Sequence, residues 1–298
     1  MQEKMNEKIA QAVDAAYLTA HLPPRLRDSH KGTYGRLMLY AGSEKYRGAA
    51  LLAAEGAVRG GGGRVTLASE RTVLDAARVR LPELLLSESA PISAWGEGEI
   101  RNALESSVGA RALLVGPGTG VSEGLFAFVR ALALQGGAPL VLDADALHAI
   151  ALYAEDVDAF FALAKRPLLL TPHPLELGRL LGLTAQEVQA NRPSISVACA
   201  KKWGVFLLLK GADTLITDGE TLLVNTSGSS ALSKGGSGDV LAGAVGAFLA
   251  QGAEPLCALA LGAYLHGAAG DSLAREYSEY GVLPSELPRR MAELLAKI

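Results

Sequence analysis

The run NTSGSSALSKGGSGDVLAGAVGA, residues 225–247, constrains this chain more than any other stretch. A strand end passes through Gly235, Gly236 and Gly238 and becomes an apolar helix of small residues beginning near Asp239. Glycine lets the backbone turn tightly and sets successive N–H groups against a ligand. The unpaired N–H groups of the helix's first turn face the same point and favour an anion such as a phosphate. Asp239 puts a carboxylate there. An acid at that position either caps the helix or takes a proton from a substrate hydroxyl, and the two roles are compatible. The run lacks G-x-x-x-x-G-K-S/T, so the P-loop mechanism is not available.

Composition narrows the partners. With 298 residues, 49% of them hydrophobic, the chain can bury a large core. Lys plus Arg is 28 against 31 Asp plus Glu, a net charge of -3, and no basic excess points to nucleic acid. Cys199 and Cys257 stand far apart in apolar helical contexts without metal-ligand spacing, and read as small buried hydrophobes in a reducing compartment. No apolar run reaches the length of a membrane span. The N-terminus, MQEKMNEKIAQAVDAAYLTA, is too charged for a signal peptide, so the expectation is a cytoplasmic protein without membrane contact.

Taken in order, residues 3–20 place Met5, Ile9, Ala12, Val13, Ala16 and Tyr17 at helical spacing before Pro23 and Pro24. The loop 28–35 carries His30, Lys31 and Tyr34 into the strand RLMLYAG, either as a ligand rim or as a solvated loop. A small-residue helix over 43–63 and the strand RVTLAS complete a strand, helix, strand unit with a right-handed crossover. Residues 70–110 are less regular, with an edge strand expected around 91–95 and a helix near 97–108. Three apolar strands then end in polar turns: ALLVGPGTG, PLVLDADAL and PLLLTPHPLELGRLLG. Open parallel sheets bind ligands outside such strand ends. Gly116, Gly118 and Gly120 fail the dinucleotide register G-x-G-x-x-G, leaving a tight structural turn or a substrate-facing one. Asp143 and Asp145 can hold a metal-bridged phosphate, orient a ribose or cap a helix. His173, between two prolines, is a ligand contact or a loop hydrogen bond rather than a core residue. A helix over 185–202 leads to a strand ending at Lys210 and Gly211, then to a hairpin around Asp218 and Gly219. His266, on a helix of Ala, Gly and Leu, reads as a satisfied buried histidine or a pocket wall. Six or more strands separated by helices point to one sheet covered on both faces.

Together these motifs resemble the ADP-dependent NAD(P)H-hydrate dehydratase family of the ribokinase-like superfamily. The matching stretches are SHKGTYGRLMLYAGS (29–43), RGAALLAAEGAVRGGGG (47–63), GPGTG (116–120), VLDADAL (141–147), LTPHPLELGRL (170–180), LKGADTLI (209–216), GSSALSKGGSGDVLAG (228–243) and YLHGAAGD (264–271). They stand in the family's order and cover the chain from about residue 28; Ser229 replaces the family's usual asparagine. The resemblance implies an α/β fold, a three-layer α/β/α sandwich with a central mostly parallel sheet. It divides the chain into an N-terminal helical extension, 1–27, and a dehydratase domain, 28–298.

The implied activity is ADP-dependent removal of water from hydrated NADH and NADPH, by phosphorylating the ring hydroxyl at carbon 6 and expelling phosphate. Carried over by motif, Asp239 is the base, and Gly236, Ser237 and Gly238 form the anion hole. Lys210, Gly211, Ala212, Asp213 and Thr214 take the adenine nucleotide, while Ala49, Gly118, His173 and Asp239 touch the hydrated dinucleotide. ADP is the co-substrate, magnesium the implied ion with no protein ligand assigned, and a separate epimerase the implied pathway partner. A homo-oligomer, with the tetramer as one form, is also implied. The same loop and base suit two other readings, an ATP-dependent kinase of a small hydroxylated metabolite and a nucleotide-sensing regulatory module. A stable phosphorylated product marks the first; binding without turnover marks the second.

Overall fold

The structure is a computed structural model that describes residues 10–298. The strands β1 (Gln11–Ala12), β2 (Arg36–Tyr40), β3 (Arg64–Ser69), β4 (Leu85–Glu88), β5 (Ala112–Val115), β6 (Leu140–Leu142), β7 (Leu168–Leu170), β8 (Phe206–Leu209), β9 (Thr214–Thr217) and β10 (Leu222–Asn225) form one sheet. Its order is β1-β10-β9-β8-β7-β6-β5-β2-β3-β4. Only the β8–β9 and β9–β10 pairings are antiparallel. The strand direction of growth reverses between β2 and β5, which pair in parallel. That reversal is the switch point where open sheets leave a crevice for ligands.

The helices are α1 (Ala15–His21), α2 (Arg47–Arg59), α3 (Arg71–Arg80), α4 (Glu97–Ser106), α5 (Glu123–Gln135), α6 (Asp145–Tyr153), α7 (Val157–Ala162), α8 (Pro174–Leu181), α9 (Ala185–Ala190), α10 (Arg192–Trp203), α11 (Ser237–Ala250), α12 (Pro255–Gly281) and α13 (Leu287–Leu295). The period-2 alternation of the strands sorts them into two layers. Leu37, Leu39, Leu114, Val141, Leu169 and Leu208 point into a core shared with α1, α2, α3, α11, α12 and α13. Met38, Tyr40, Leu113, Leu142, Leu170 and Leu209 point the other way, into a core closed by α4 to α10. The expected three-layer α/β/α sandwich is thus built by near-continuous leucine runs whose successive side chains are buried on opposite faces.

Helices α2 and α11 cross so closely that glycine is required at the contact. A Cβ on Gly243 would lie 1.9 Å from the Ala53 carbonyl oxygen, and one on Gly56 would lie 2.4 Å from that of Val240. This crossing fixes α11 against the sheet and aims its first turn at the strand ends.

Several local expectations are corrected. The single helix over 3–20 gives way to β1, paired in parallel with β10, and to α1, capped by Asp14, whose carboxylate accepts from the Tyr17 N–H at 2.8 Å. Met5 and Ile9 lie outside the described residues. The edge strand expected at 91–95 is instead β4, and Ile92–Ala94 is a single 3-10 turn. The helix over 185–202 is two helices, broken at Asn191 before Pro193. The hairpin around Asp218 is present: its carboxylate accepts from the N–H groups of Glu220 at 2.9 Å and Thr221 at 2.7 Å. Both cysteines are free, and burial pushes the Cys199 thiol up to about 12.

Candidate functional site

The polar turns singled out in the sequence gather at the carboxyl ends of β2, β5, β6, β7 and β8, facing the N-terminus of α11. Gly236, at φ 99°, occupies the N-cap of α11 in a conformation that only glycine adopts cheaply. Capping therefore does not fall to Asp239, which sits in the first turn and makes no hydrogen bond among the described residues. Burial, with Asp143, Asp145 and Glu176 nearby, lifts its carboxyl from 3.8 to about 7 against the opposing pull of Lys210. A carboxylate so placed can exchange a proton near neutral pH.

Lys210, leaving β8, lies across from it. Its Nζ donates to Asp143 Oδ1 at 2.7 Å, and Thr171 Oγ1 donates to the same oxygen at 2.8 Å. Asp143 is 1% exposed, so the lysine and the hydroxyl are the partners that make its burial tolerable. Burial pulls the Lys210 ammonium down, but Asp143, Glu176 and Asp239 together hold it above the usual lysine value. The ammonium also reaches α11, within 3.1 Å of where a Cβ on Gly238 would stand. Asp145 turns away from this pair: its Oδ2 accepts from the Gly120 N–H at 2.8 Å. Ala144 between them has φ 49°, a strained conformation that sends the two neighbouring carboxylates to different partners.

A cavity of about 460 Å³ opens beside α11. Lys210, Gly211, Ala212 and Thr214 line one wall, Ser237 and Gly238 another, and His266 the floor. Six of the eight residues expected to hold a nucleotide therefore share one cavity. Asp213 is an exposed turn residue at φ 54° and Gly236 lies on the opposite side of the α11 N-terminus, against Leu52 of α2; neither lines it. His266 is buried, 2.9 Å from Ser237 Oγ through Nε2, and burial lowers its pKa to about 4. It is a neutral pocket wall, one of the two roles that its sequence context allows.

Ala49, Gly118 and His173 stand outside that cavity. Gly118 abuts Ala49, since a Cβ on the glycine would lie 2.7 Å from the alanine's, and its carbonyl accepts from Ser43 Oγ at 2.8 Å. This pair sits at the switch point, on the α2 side of Gly236. His173 is the N-cap of α8 in a capping box: its Nδ1 accepts from the Glu176 N–H at 3.2 Å, and its own N–H donates to Glu176 Oε2 at 2.9 Å. It is half-exposed, so the structural hydrogen bond is present and its other face is open to solvent. The loop with His30, Lys31 and Tyr34 is at the amino end of β2, away from all of these groups; Tyr34 is buried, with its hydroxyl on Ser29. The solvated-loop reading fits that segment.

Sequence reasoning missed the struts. Asn225 Nδ2 donates to the Ala263 carbonyl at 3.3 Å, the Gly228 N–H to Asp271 Oδ2 at 2.8 Å, and Lys234 Nζ to the carbonyls of Tyr280 and Val282, each at 2.6 Å. These bonds tie the glycine-rich loop to α12 across tens of residues, where no local pattern signals a pairing. Among the described residues no three carboxylate, histidine or cysteine side chains converge as a metal site. Asp145 and Asp239 are the cluster's carboxylates without an ion pair, hard oxygen donors of the sort magnesium accepts one or two of, its other ligands being phosphate and water.

Known proteins match this chain over most of its length. A family model described as NAD(P)H-hydrate dehydratase matches residues 37–292. The chain is 38% identical over 250 residues to the ADP-dependent (S)-NAD(P)H-hydrate dehydratase of Neisseria meningitidis, covering 83% of this chain and 80% of that one. It is 37% identical over 277 residues to the bifunctional NAD(P)H-hydrate repair enzyme of Moorella thermoacetica, covering 92% of this chain and 51% of that one. It thus spans about half the length of such bifunctional relatives. The crystal structure of the Bacillus subtilis ADP/ATP-dependent NAD(P)H-hydrate dehydratase, co-crystallised with ATP and magnesium, superposes with a TM-score of 0.84 at 30% identity, covering 97% of this chain and 99% of that one. A hydroxyethylthiazole kinase of Pyrococcus horikoshii, at 15% identity and TM-score 0.56, shares the fold.

Proposed function

Because the chain belongs to the NAD(P)H-hydrate dehydratase family, we propose that it removes water from hydrated NADH and NADPH at the expense of ADP. The observation that carries this reading is the carboxylate of Asp239, without a hydrogen-bond partner of its own and raised to about 7, in the first turn of a helix whose N–H groups favour an anion. Hydroxide leaves carbon poorly and phosphate leaves well, so a phosphoryl-transfer site suits a dehydration.

In this scheme Asp239 accepts the proton of the ring hydroxyl as its oxygen bonds to the terminal phosphorus of ADP. The phosphoanhydride bond breaks, leaving AMP. Expulsion of phosphate breaks the carbon–oxygen bond, whose electron pair leaves with the phosphate; the adjacent ring carbon gives up its proton to solvent, and that electron pair restores the double bond. Gly236, Ser237 and Gly238 receive the transferring phosphoryl group at the helix start, where preorganised donors stabilise developing charge. Lys210 adds positive charge at that point, and the loop Lys210–Thr214 holds the adenine nucleotide. Magnesium, when bound, would neutralise phosphate charge, with Asp145 as the available protein oxygen and Asp239 left free as the base. Ala49, Gly118 and His173 hold the hydrated dinucleotide on the α2 side of α11.

The reading assigns the activity to residues 28–298; of the segment before it, β1 (Gln11–Ala12) adds an edge strand beside β10. The bifunctional relatives support an epimerase as the partner activity. A homo-oligomer working in the cytoplasm completes the reading; no helix of the described residues is long and apolar enough to cross a membrane. The test is recovery of reduced-nicotinamide absorbance from hydrated NADH. Recovery is expected with ADP and magnesium together and not with either alone; folded protein giving none with ADP or ATP would overturn the proposal.

A further inference from the structure

Behind the loop Lys210–Thr214 stands Arg192, at the first turn of α10 and only 9% exposed. Its guanidinium donates to the carbonyls of Ala212, of Leu209 at 3.2 Å and, more weakly, of Lys210 at 3.5 Å. No carboxylate hydrogen-bonds to it among the described residues, and its Nε is buried without a partner. Burying a guanidinium against backbone carbonyls is costly even with the charge of the Asp213 carboxylate nearby, and a lysine could not replace it because a single ammonium lacks the planar fork.

The consequence follows from peptide geometry. In a planar trans peptide the carbonyl and the next residue's N–H point in opposite directions. The guanidinium gathers the carbonyls of residues 209, 210 and 212 on one side, so the N–H groups of Lys210, Gly211 and Asp213 leave on the other. That of Lys210 donates to the Pro172 carbonyl at 2.9 Å. Those of Gly211 and Asp213 have no partner among the described residues, in a loop whose Gly211 and Ala212 line the cavity. Gly211 at φ 143° and Asp213 at φ 54° hold backbone conformations that side-chain-bearing residues avoid. A Cβ on Gly211 would stand 2.9 Å from a guanidinium nitrogen.

We propose that Arg192 is a positioning residue for the nucleotide: it clamps the loop so that the Gly211 and Asp213 N–H groups are presented to acceptor atoms of the adenine nucleotide. The inference rests on the reading that this loop binds ADP. Without the clamp the two peptides flip freely and turn carbonyl oxygens toward the ligand.

The experiment compares ADP binding by calorimetry in the full chain, Arg192→Lys and Arg192→Met, with steady-state kinetics alongside. The clamp predicts a Kd and a KM for ADP raised roughly tenfold or more, the scale of a lost charged hydrogen bond. The KM for hydrated NADH should stay within about twofold. A purely structural arginine would lower the melting temperature and leave ADP affinity at its wild-type value, which overturns the proposal. Amide exchange on the wild-type protein tests it without a variant: ADP should slow exchange at Gly211 and Asp213, and unchanged rates at both would overturn the clamp. If the wild-type chain itself binds no ADP, the reading of the loop falls, and the clamp with it.

Discussion

Replacing Asp239 with Asn should make the protein inactive and, above neutral pH, more stable. The carboxyl is ordinary at 3.8 when the chain is unfolded and is lifted to about 7 in the fold, first by burial and then by Asp143. The folded state therefore binds this proton more tightly, and stability is lost as pH rises from about 4 through 7. At roughly 1.4 kcal/mol per pH unit the whole lift is worth about 4 kcal/mol, and partial solvent access reduces that to about 2–4 kcal/mol. Asparagine has nearly the same shape and no charge to desolvate. At about 2–4 °C per kcal/mol for a chain of this size, the variant should melt roughly 4–16 °C above wild type at pH 8, with the gap closing toward pH 4. The assay is thermal unfolding by circular dichroism without nucleotide at both pH values, with turnover measured in parallel. A variant no more stable than wild type at pH 8, or a gap independent of pH, would refute the claim that the fold holds this carboxylate at a cost.

Other perturbations follow from the same contacts. Wild-type kcat/KM should fall about tenfold per pH unit below pH 7, because the base of the free enzyme must be ionised; a kcat/KM flat down to pH 5 would contradict that role. His266, neutral above about pH 4, should contribute no limb between pH 5 and 9. Lys210→Met strands the buried Asp143 carboxylate and should cost about 3–5 kcal/mol in urea unfolding. Adding Asp143→Asn should restore much of that loss, whereas additive losses would show the two residues uncoupled. Gly243→Ala drives a methyl into the Ala53 carbonyl and should cost at least about 3 kcal/mol. Gly48→Ala, in the same pair of helices but with open space around it, should stabilise by about 0.4–1 kcal/mol; equal effects at the two positions would undo the crossing argument.

The central strands were legible because leucine runs such as LLL at β8, which ends in Lys210, stop at a glycine, a charge or a Thr-Pro turn, a pattern set by burial on both faces. Edges were not. β4 is only four residues, exposed at both ends and nowhere fully buried, and β1 pairs through two residues only, so neither carries a periodicity strong enough to compete with helix. The anion-favouring helix start was readable from GGSGD because its signal is local. The pairing of Lys210 with Asp143, 67 residues apart, and the grip of Arg192 on three carbonyls exist only after the sheet brings β6, β8 and α10 together. Asp239 stood between cap and base in the sequence; placing Gly236 at the N-cap leaves its carboxylate free of capping.

The most direct test is a structure of the protein with ADP and an unreactive analogue of the hydrated dinucleotide, read at one distance. The account predicts the ring hydroxyl at about 2.6–3.2 Å from the Asp239 carboxylate, with the terminal phosphate of ADP over the N–H groups of residues 236–238. A complex in which that carboxylate contacts neither ligand, or in which the hydroxyl faces another residue, would contradict it.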